Sequence, residues 1–321
     1  MAIEVIEPGL GSSIQDRGRL GYYSVGIPPS GAVDMVSALA ANLLVGNSED
    51  APVIESPYIG PKLRFTDNAV IAITGATMEA RLNGQSVPQW ESLAVAKGDE
   101  LSFGYLTAGA RTYIAVSGGI DVPAVLNSRS TYTIGGIGGL NGRALQSGDV
   151  IPVGRGDGRP GKSVPEQLRP IFAREVDVRV MMGLYDYRLT PVGASRFVDS
   201  VWTLTPVADR MGFRYSGPEL EWEDREQPFG AGSDPSNIVD AGYPIGSIQV
   251  PGGVEPIILH RDAVSGGGYA TVATVISVDM DLVGQCSPGA LTRFRPVSLA
   301  DAIDARTVAK ENIGKLRLAI G

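Results

Sequence analysis

The residues that could do chemistry lie mainly in two polar, glycine-rich segments, of which the first covers residues 15–34. Pro28-Pro29 fixes the path of the backbone, and Ser30 and Gly31 can expose hydrogen-bond donors. The helix that follows directs the positive end of its dipole toward them, so these donors could hold a carbonyl or carboxylate oxygen. Asp34 can cap the same helix, and we favour that role over a catalytic one.

The second segment covers residues 233–269 and places polar groups at the ends of short predicted strands. Its candidates are Asn237, Asp240, Tyr243, His260, Arg261, Asp262, Gly267 and Gly268. A binding role and an internal ion pair fit Arg261 and Asp262 equally well. For His260, the only histidine of the chain, we favour a structural position slightly.

Common catalytic motifs do not fit these segments. The triplet His260-Arg261-Asp262 matches the start of a kinase catalytic loop, but Gly267 stands where that loop requires asparagine. Residues 115–119 lack the first glycine of a serine hydrolase elbow. Residues 135–139 lack the lysine of a P-loop, and we expect them to form a flexible loop. With one histidine and one cysteine, the sequence predicts no metal site.

The composition narrows the choice of partner. The 321 residues carry a net charge of -8, which leaves no basic surface for nucleic acid. No stretch approaches the roughly 20 apolar residues of a membrane span, and residues 1–9 lack the basic and apolar regions of a signal peptide. The single cysteine, Cys286, fits a reducing compartment. We therefore expect a cytoplasmic protein that binds neither nucleic acid nor membrane.

Short strands and tight turns must position both segments. The 42 glycines and 22 prolines separate runs of Val, Ile and Thr such as 69–74 and 112–116, which predicts a mainly β protein with a few helices. Residues 155–162 contain glycine, proline and charge but nothing to bury, as is typical of a linker. We therefore expect two β-rich lobes, at residues 1–155 and 165–315.

Two helices have recognisable starting signals. The first should begin after Asp34 and end near Gly46, because apolar residues between them repeat at helical spacing. The second should begin at Ser298, where Asp301 stands three positions later as in a capping box.

Short motifs in a fixed order also carry a family resemblance. They cover residues 41–47, 73–76, 115–120, 126–131 and 142–145, and then residues 209–212, 217–218, 235–238, 245–248 and 283–285. Together with the two polar segments, they resemble the carboxyltransferase A and B subdomains of urea carboxylase and the stand-alone KipA-like proteins. The latter are also called allophanate hydrolase subunit 2 or the C subunit of 5-oxoprolinase. The later motifs are closer to urea carboxylase than to the KipA branch.

The resemblance implies two cyclophilin-like β-barrel lobes that form a carboxyltransferase component. Such a component moves a carboxyl group from biotin to the nitrogen of urea or a small amide, in a heteromer with a KipI-like sister subunit. The chain has no Met-Lys-Met segment and no ATP-binding signature. We therefore expect biotin on a partner carrier protein that works with a biotin carboxylase, and ATP only on a partner.

Two alternatives remain open. One is a component, similar to the 5-oxoprolinase C subunit, of the ATP-dependent opening of the 5-oxoproline ring. The other is a KipA-like binding or regulatory partner of a KipI-like protein. The sequence decides neither the substrate nor the activity of the isolated chain nor the stoichiometry of the complex.

The carboxyltransferase hypothesis gives each candidate a role. Oxygen-holding donors are expected at Ser30, Gly31, Gly267 and Gly268. Groups that orient the substrate are expected at Asp34, Asn237, Asp240 and Tyr243. Charge stabilisation is expected at Arg261, and Asp262 and His260 are the other catalytic candidates. Gln15, Asp16 and Arg19 are expected to hold the first segment in position without contacting the substrate. Both segments should face one water-poor cleft.

Overall fold

A computed structural model describes all 321 residues. The chain divides into two compact units, each with its own core. The first unit contains Met1–Leu20, Ser30–Phe172 and Lys310–Gly321. The second contains Gly21–Pro29 and Ala173–Ala309. The chain therefore passes between the units more than once, whereas a single boundary was expected.

The predicted linker, residues 155–162, packs against the first unit. Gly158 donates a backbone hydrogen bond to Ser117 Oγ over 2.9 Å, and Lys162 donates one to Ser92 Oγ over 2.9 Å. This stretch has no apolar side chains to bury, but its backbone groups still pair with the lobe. The first unit consequently continues beyond the boundary expected from composition, as far as Phe172.

The first unit is built on a nine-stranded antiparallel sheet that curls into a half-barrel. Its strands are β1 (Ala2–Glu7), β2 (Ser13–Gln15), β3 (Val53–Pro57), β4 (Lys62–Phe65), β5 (Ala69–Leu82), β6 (Gln85–Val87), β7 (Ser92–Val95), β8 (Glu100–Val116) and β9 (Val150–Pro152). The main order is β2-β3-β8-β4-β1-β9, with β5 pairing with β6, β7 and β8. Apolar residues at alternate positions of these strands fill the inside of the curl.

Helix α1 (Met35–Leu44) packs on this sheet, as predicted. Asp34 caps it by accepting from the backbone N of Ser37 over 2.9 Å. Ala41 and Leu44 on its buried face belong to the same apolar cluster as Ala72 of β5. The helix thereby fixes the position of the residues that immediately precede it.

The second unit contains a closed seven-stranded barrel and a separate two-stranded ribbon. The barrel order is β10 (Glu175–Met182), β17 (Thr271–Val275), β14 (Ser247–Gln249), β15 (Ile257–Leu259), β12 (Gly212–Ser216), β11 (Trp202–Ala208) and β18 (Leu291–Pro296). The ribbon pairs β13 (Asn237–Gly242) with β16 (Gly266–Tyr269). Strands β10 and β18 close the barrel in parallel, and the other barrel pairs are antiparallel.

Aromatic side chains dominate the barrel core. Phe197 stacks on Phe294 with ring centroids 4.8 Å apart, and Trp202 is fully buried beside them. Phe197 lies on α2 (Pro191–Asp199), which seals this side of the core. A short helix, α3 (Met280–Gly284), adds further apolar residues to the cluster.

The last helix, α4 (Leu299–Ile320), begins as predicted. Ser298 and Asp301 exchange hydrogen bonds across its first turn, with 3.0 Å from Ser298 N to Asp301 Oδ2 and 3.2 Å from Asp301 N to Ser298 Oγ. The mainly β fold with a few helices is thus confirmed. None of the helices combines the length and the apolar content that crossing a bilayer requires.

Candidate functional site

Asp16 anchors the start of the first polar segment. Its Oδ1 accepts hydrogen bonds from Gly18 N at 2.7 Å, Ser128 Oγ at 2.7 Å and Ser130 Oγ at 2.5 Å, and its Oδ2 accepts from Arg129 N at 2.5 Å. Both carboxylate oxygens are thus occupied by donors of the protein, which leaves little capacity for a ligand. Asp16 therefore supports the loop. Ser128 and Ser130 lie in the family motif at residues 126–131, but the sequence did not indicate that Asp16 is their partner.

Gln15, at the start of the first polar segment, forms a hydrogen bond with Gly31 near its end. Its Nε2 donates to Thr131 O over 3.1 Å, and its Oε1 accepts from Gly31 N over 3.1 Å. The Gly31 N–H is thus committed to Gln15, which contradicts the expectation that it holds a substrate oxygen. Arg19 donates from Nη2 to Ser130 O over 2.5 Å. Gln15 and Arg19 thus brace the loop from within the protein, where supporting residues were expected.

Ser30 occupies an unusual position in this loop. It is fully buried, its φ is 53°, and its Oγ has no hydrogen-bond partner in the chain. Most buried polar atoms are paired, and residues other than glycine seldom adopt positive φ. Such strain and unmet hydrogen bonding are more common at functional sites than elsewhere. Among the residues of the first segment, Ser30 is therefore the best candidate for contact with a ligand.

Asp34 has the capping role that was favoured for it from the sequence. Both carboxylate oxygens are used by Ser37: Oδ1 accepts from its N at 2.9 Å and Oδ2 from its Oγ at 2.5 Å. Its role is to start α1.

A buried pair that sequence reasoning missed lies beneath the loop. Glu55 Oε2 accepts from Val33 N at 2.7 Å and from Tyr113 Oη at 2.9 Å, while Tyr113 Oη accepts from Asp34 N at 2.8 Å. Burial raises the pKa of Tyr113 well above its ordinary value, and the negative charges of Glu55 and Asp34 add to this effect. The available signal was a glutamate directly after Val53 and Ile54 in strand β3.

In the second unit, the β13–β16 ribbon brings several candidates together. Gly267 pairs with Ala241, and Tyr269 pairs with Asn237 on the opposite strand. Asp240 lies on the same strand as Asn237, and its side chain is exposed. The ribbon therefore brings residues 237–242 together with residues 266–269, which are distant in sequence.

Tyr243 and the two glycines are explained by packing within this cluster. The Tyr243 hydroxyl donates to Tyr269 O at 2.7 Å and accepts from Tyr269 N at 2.6 Å, and burial raises its pKa. A Cβ at Gly267 would lie 3.0 Å from the Tyr243 ring, and one at Gly268 would lie 3.2 Å from Ile238 O. Packing within the protein therefore explains Tyr243, Gly267 and Gly268. Asn237 and Asp240 remain as the candidates whose side chains could contact a ligand.

Tyr23 is a contact that the sequence did not reveal. Its hydroxyl is shared between Tyr243 O at 2.7 Å and Val264 O at 3.1 Å. Burial raises the pKa of Tyr23, so the hydroxyl keeps its proton. This side chain attaches residues 21–29 to the second unit.

His260 has the structural position favoured for it from the sequence, and Asp262 forms the internal ion pair that was one of its two interpretations. His260 is fully buried; its Nδ1 accepts from Arg261 N at 2.9 Å and its Nε2 lies 3.2 Å from Met280 O, which requires the proton on Nε2. Asp262 forms a two-point ion pair with Arg210, at 2.8 and 3.2 Å. Arg261, which is half-buried, remains the candidate for binding negative charge.

The candidates that remain lie in both units. Ser30 belongs to the first unit, and Arg261, Asn237 and Asp240 belong to the second. That these four residues face one cleft stays a prediction.

Comparison with known proteins gives a consistent family assignment. A family described as the carboxyltransferase domain, subdomains A and B, matches residues 25–296. The urea amidolyase of Saccharomyces cerevisiae is 38% identical over 308 residues, which are 92% of this chain but only 17% of that protein. The C subunit of 5-oxoprolinase from Escherichia coli is 34% identical over 307 residues, 95% of this chain and 94% of that protein.

A solved structure agrees with these relatives. The Kluyveromyces lactis urea carboxylase matches with a TM-score of 0.92 and 35% identity, over 98% of this chain and 29% of that one. The chain therefore spans less than a third of the length of the urea enzymes, but nearly the whole length of the 5-oxoprolinase component.

Proposed function

The chain belongs to the family of carboxyltransferase domains with subdomains A and B, and from this premise we propose that it transfers a carboxyl group to the nitrogen of urea or a small amide. The donor would be biotin that carries the carboxyl group on its ring nitrogen and is attached to a partner protein. In the transfer, the carboxyl carbon exchanges one C–N bond for another, and the substrate nitrogen gives one proton to the ring nitrogen of the donor. The protein's contribution is to exclude water, align the two reactants and stabilise oxygen atoms that gain negative charge.

The observation that supports this proposal most is the Ser30 hydroxyl. It is a buried donor without a partner, on a strained backbone whose next two residues donate to Gln15 Oε1 and Asp16 O. A preorganised donor in a dry environment stabilises a developing oxyanion without reorganisation. We assign Ser30 to the carbonyl oxygen of the substrate or of the carboxyl donor.

The second unit supplies the remaining polar groups in this proposal. Arg261 carries a permanent positive charge, which suits an oxygen that gains negative charge in the transition state. The Asn237 amide can donate to a carbonyl and accept from an N–H, so it suits a planar amide substrate. Asp240 can accept a second N–H. His260 and Asp262 hold this region in place.

The proposal places the other activities on partner chains. The 321 residues contain no Met-Lys-Met segment for biotin attachment, and two relatives are named as a subunit, the C subunit of 5-oxoprolinase. We therefore propose that the site is completed by a KipI-like sister subunit. A biotin carrier with its biotin carboxylase would supply the donor and would use the ATP, in the cytoplasm.

Reconstitution tests this function. The full chain is combined with its sister subunit, a biotinylated carrier, biotin carboxylase, bicarbonate and ATP, and substrate-dependent ATP use is measured with urea, short amides and 5-oxoproline. We expect turnover of urea or an amide that requires both chain and carrier. Binding to the sister subunit without any turnover would instead support the regulatory alternative.

Ser30→Ala sharpens this test. We expect a loss of kcat/KM on the order of 100-fold, as for removal of one oxyanion donor. The thermal midpoint should not fall, because the hydroxyl removed has no partner. Ser12→Ala is the control, since Ser12 is equally buried but its hydroxyl is bonded to Ser56 Oγ. Full activity of Ser30→Ala would refute the assigned role.

One observation favours a second candidate function. The 5-oxoprolinase relatives share the length of this chain, with 94% of each covered, unlike the urea enzymes. As a component of 5-oxoproline ring opening, the chain would need ATP but no biotin. Turnover of 5-oxoproline in the absence of the carrier, with none of urea in its presence, would establish this alternative.

A further inference from the structure

A cavity of about 830 Å³ lies in the first unit, beside residues 154–158. Residues 67–70, Lys97 and Ser117 also line it, together with Met1. Its volume is within the range of about 300–1,000 Å³ that is usual for small-molecule sites. None of the residues assigned to carboxyl transfer lines this cavity, so the proposed function gives it no role.

Glycine at alternate positions brings the segment 154–158 close to the backbone of Gly118. A Cβ at Gly154 would lie 2.4 Å from Gly118 O, and one at Gly156 would lie 2.3 Å from Gly118 N. Side chains are therefore excluded from this contact. Between the two glycines, Arg155 is exposed and lines the cavity. One wall of the cavity is thus built from the stretch whose composition is typical of a linker.

Lys97 and Arg155 give the cavity two cationic groups in a chain with a net charge of -8. Neither side chain forms an ion pair within the protein. Asp99 is near Lys97 in sequence, but its carboxylate accepts from Ala96 N at 2.7 Å and from Asn83 Nδ2 at 2.7 Å. Two unpaired cations on one cavity attract an anion, and phosphate suits both the guanidinium and the ammonium group.

Neutral and acidic groups of the lining can bond to the rest of a ligand. Asn68 Oδ1 accepts from Lys97 N at 2.9 Å, which leaves the amide nitrogen of Asn68 as a donor. Ser117 Oγ accepts from Gly158 N at 2.9 Å, and its hydroxyl proton has no acceptor in the protein. Asp67 is the one carboxylate of the lining, and it is exposed. Because a carboxylate only accepts, Asp67 favours a ligand that also carries hydroxyl groups.

The lining contains no aromatic side chain, and its apolar side chains are those of Met1, Ala69 and Val70. A nucleobase would therefore lack the ring on which bases commonly stack. A hydroxylated carbon skeleton needs no such partner, because it can bond to Asp67 and Asn68.

We propose that this cavity binds the phosphate ester of a small polyhydroxylated molecule, with the phosphate at Lys97 and Arg155 and the hydroxyl groups at Asp67 and Asn68. A phosphate monoester carries about -1.5 to -2 charges at pH 7, which the two cations balance. The ligand could be a free sugar phosphate or the ribose phosphate of a mononucleotide. The site is independent of the proposed carboxyl transfer.

Binding to the purified full chain tests the proposal without any partner or turnover. Calorimetry and ligand-observed NMR use ribose 5-phosphate and glucose 6-phosphate as sugar phosphates, and AMP as a mononucleotide. Ribose and inorganic phosphate are the control ligands, because each keeps only one half of the ester. We expect at least one ester to bind at least tenfold more tightly than both controls, and its affinity to fall as the salt concentration rises.

Variants of exposed side chains locate the binding without disturbing the core. Lys97→Met and Arg155→Met keep most of the length of each side chain but remove its charge, and each should weaken binding of the ester at least tenfold. Lys310→Met and Arg306→Met are the matched controls, because both residues are exposed and lie outside the cavity. Asp67→Asn should reduce the preference for the ester over inorganic phosphate, since it removes the acceptor for hydroxyl groups.

The outcomes identify the source of the ligand. Tighter binding of AMP than of ribose 5-phosphate indicates a nucleotide, and equal or weaker binding of AMP indicates a free sugar phosphate. Three results would overturn the proposal: inorganic phosphate that binds as tightly as every ester, equal losses in the cavity variants and their controls, or no binding of any ester.

Discussion

Ser30 and Gly31 are adjacent residues that together set the backbone conformation of the first polar segment. Gly31 has a φ of 90°, and a Cβ there would lie 2.9 Å from both Arg17 C and Gly18 N. Only glycine fits this close approach of two backbone segments. The packing of Gly31 thereby keeps Ser30 in its strained conformation.

Replacing Gly31 with alanine should expose this constraint. We expect Gly31→Ala to lower the free energy of unfolding by about 2–4 kcal/mol, since the new methyl group adds a backbone clash to an unfavourable φ. Gly21→Ala is the matched control: its φ is 96°, but nothing lies within 4 Å of its Cβ position. It should lose only about 1 kcal/mol. Urea denaturation measures both, and equal losses would contradict the steric explanation.

At this scale, the sequence indicated which residues are polar but not what they contact. Asp34 and its partner Ser37 are three positions apart, so the cap was predictable. Asp262 and Arg210 are 52 positions apart, and no local pattern links them. A candidate such as Asp262, whose partner is distant in the sequence, could therefore be mistaken for a ligand-binding residue. In the structure its hydrogen bonds stabilise the fold.

Among the elements, helices with local caps were the easiest to predict. Helices α1 and α4 begin at the expected residues, whereas α2 was missed although Thr190 and Pro191 are recognisable start signals. The long strands β5 and β8 were recognised only as short apolar runs. A register shift beginning at Gly75 interrupts their pairing and their alternation, so the pattern did not reveal one continuous strand.

Tyr23→Phe tests how residues 21–29 are attached to the second unit. Loss of the hydroxyl removes the bonds to Tyr243 O and Val264 O, and we expect hydrogen exchange at Gly26 and Ile27 to become about tenfold faster, equivalent to about 1.4 kcal/mol. Tyr22→Phe is the control.

The attachment should also depend on pH. Because burial raises the pKa of Tyr23, its contribution is complete below the unfolded value of about 10 and is lost as the pH rises through the folded value. Protection should therefore fall above pH 10 in the unmodified chain but not in Tyr23→Phe. Identical alkaline behaviour of the two proteins would rule out this attachment.

For the whole molecule, the fold class could be predicted from the sequence, but the way in which the chain crosses between the units could not. Composition marks where a chain lacks core residues, and residues 155–162 do lack them. It cannot show that residues 21–29 leave the first unit and that the chain returns to it at Ser30. Such crossings depend on long-range contacts.

The acidic chain should lose stability at low pH, partly through Asp149. Hydrogen bonds from Arg143, at 2.8 Å to each oxygen, and from Gln146 N hold the pKa of Asp149 below its ordinary value. This contribution is complete above the unfolded pKa of about 3.9 and disappears as the pH falls through the folded one.

Asp149→Asn should therefore be less stable than the unmodified chain at pH 7 and closer to it at pH 2.5. Urea midpoints at the two pH values measure the difference. Asn in place of the exposed Asp67 is the control. A constant difference between Asp149→Asn and the unmodified chain would contradict this account.

The parallel pairing of β10 with β18 constrains how the nascent chain can fold. Glu175 lies opposite Leu291, and a ribosome that adds about 5–20 residues per second needs on the order of ten seconds to synthesise the stretch between them. During this time strand β10 has no paired strand on either edge, because its other partner, β17, is also synthesised late. Its alternating charged residues, Glu175, Asp177 and Arg179, are the kind that discourage pairing with the wrong chain until the barrel can close.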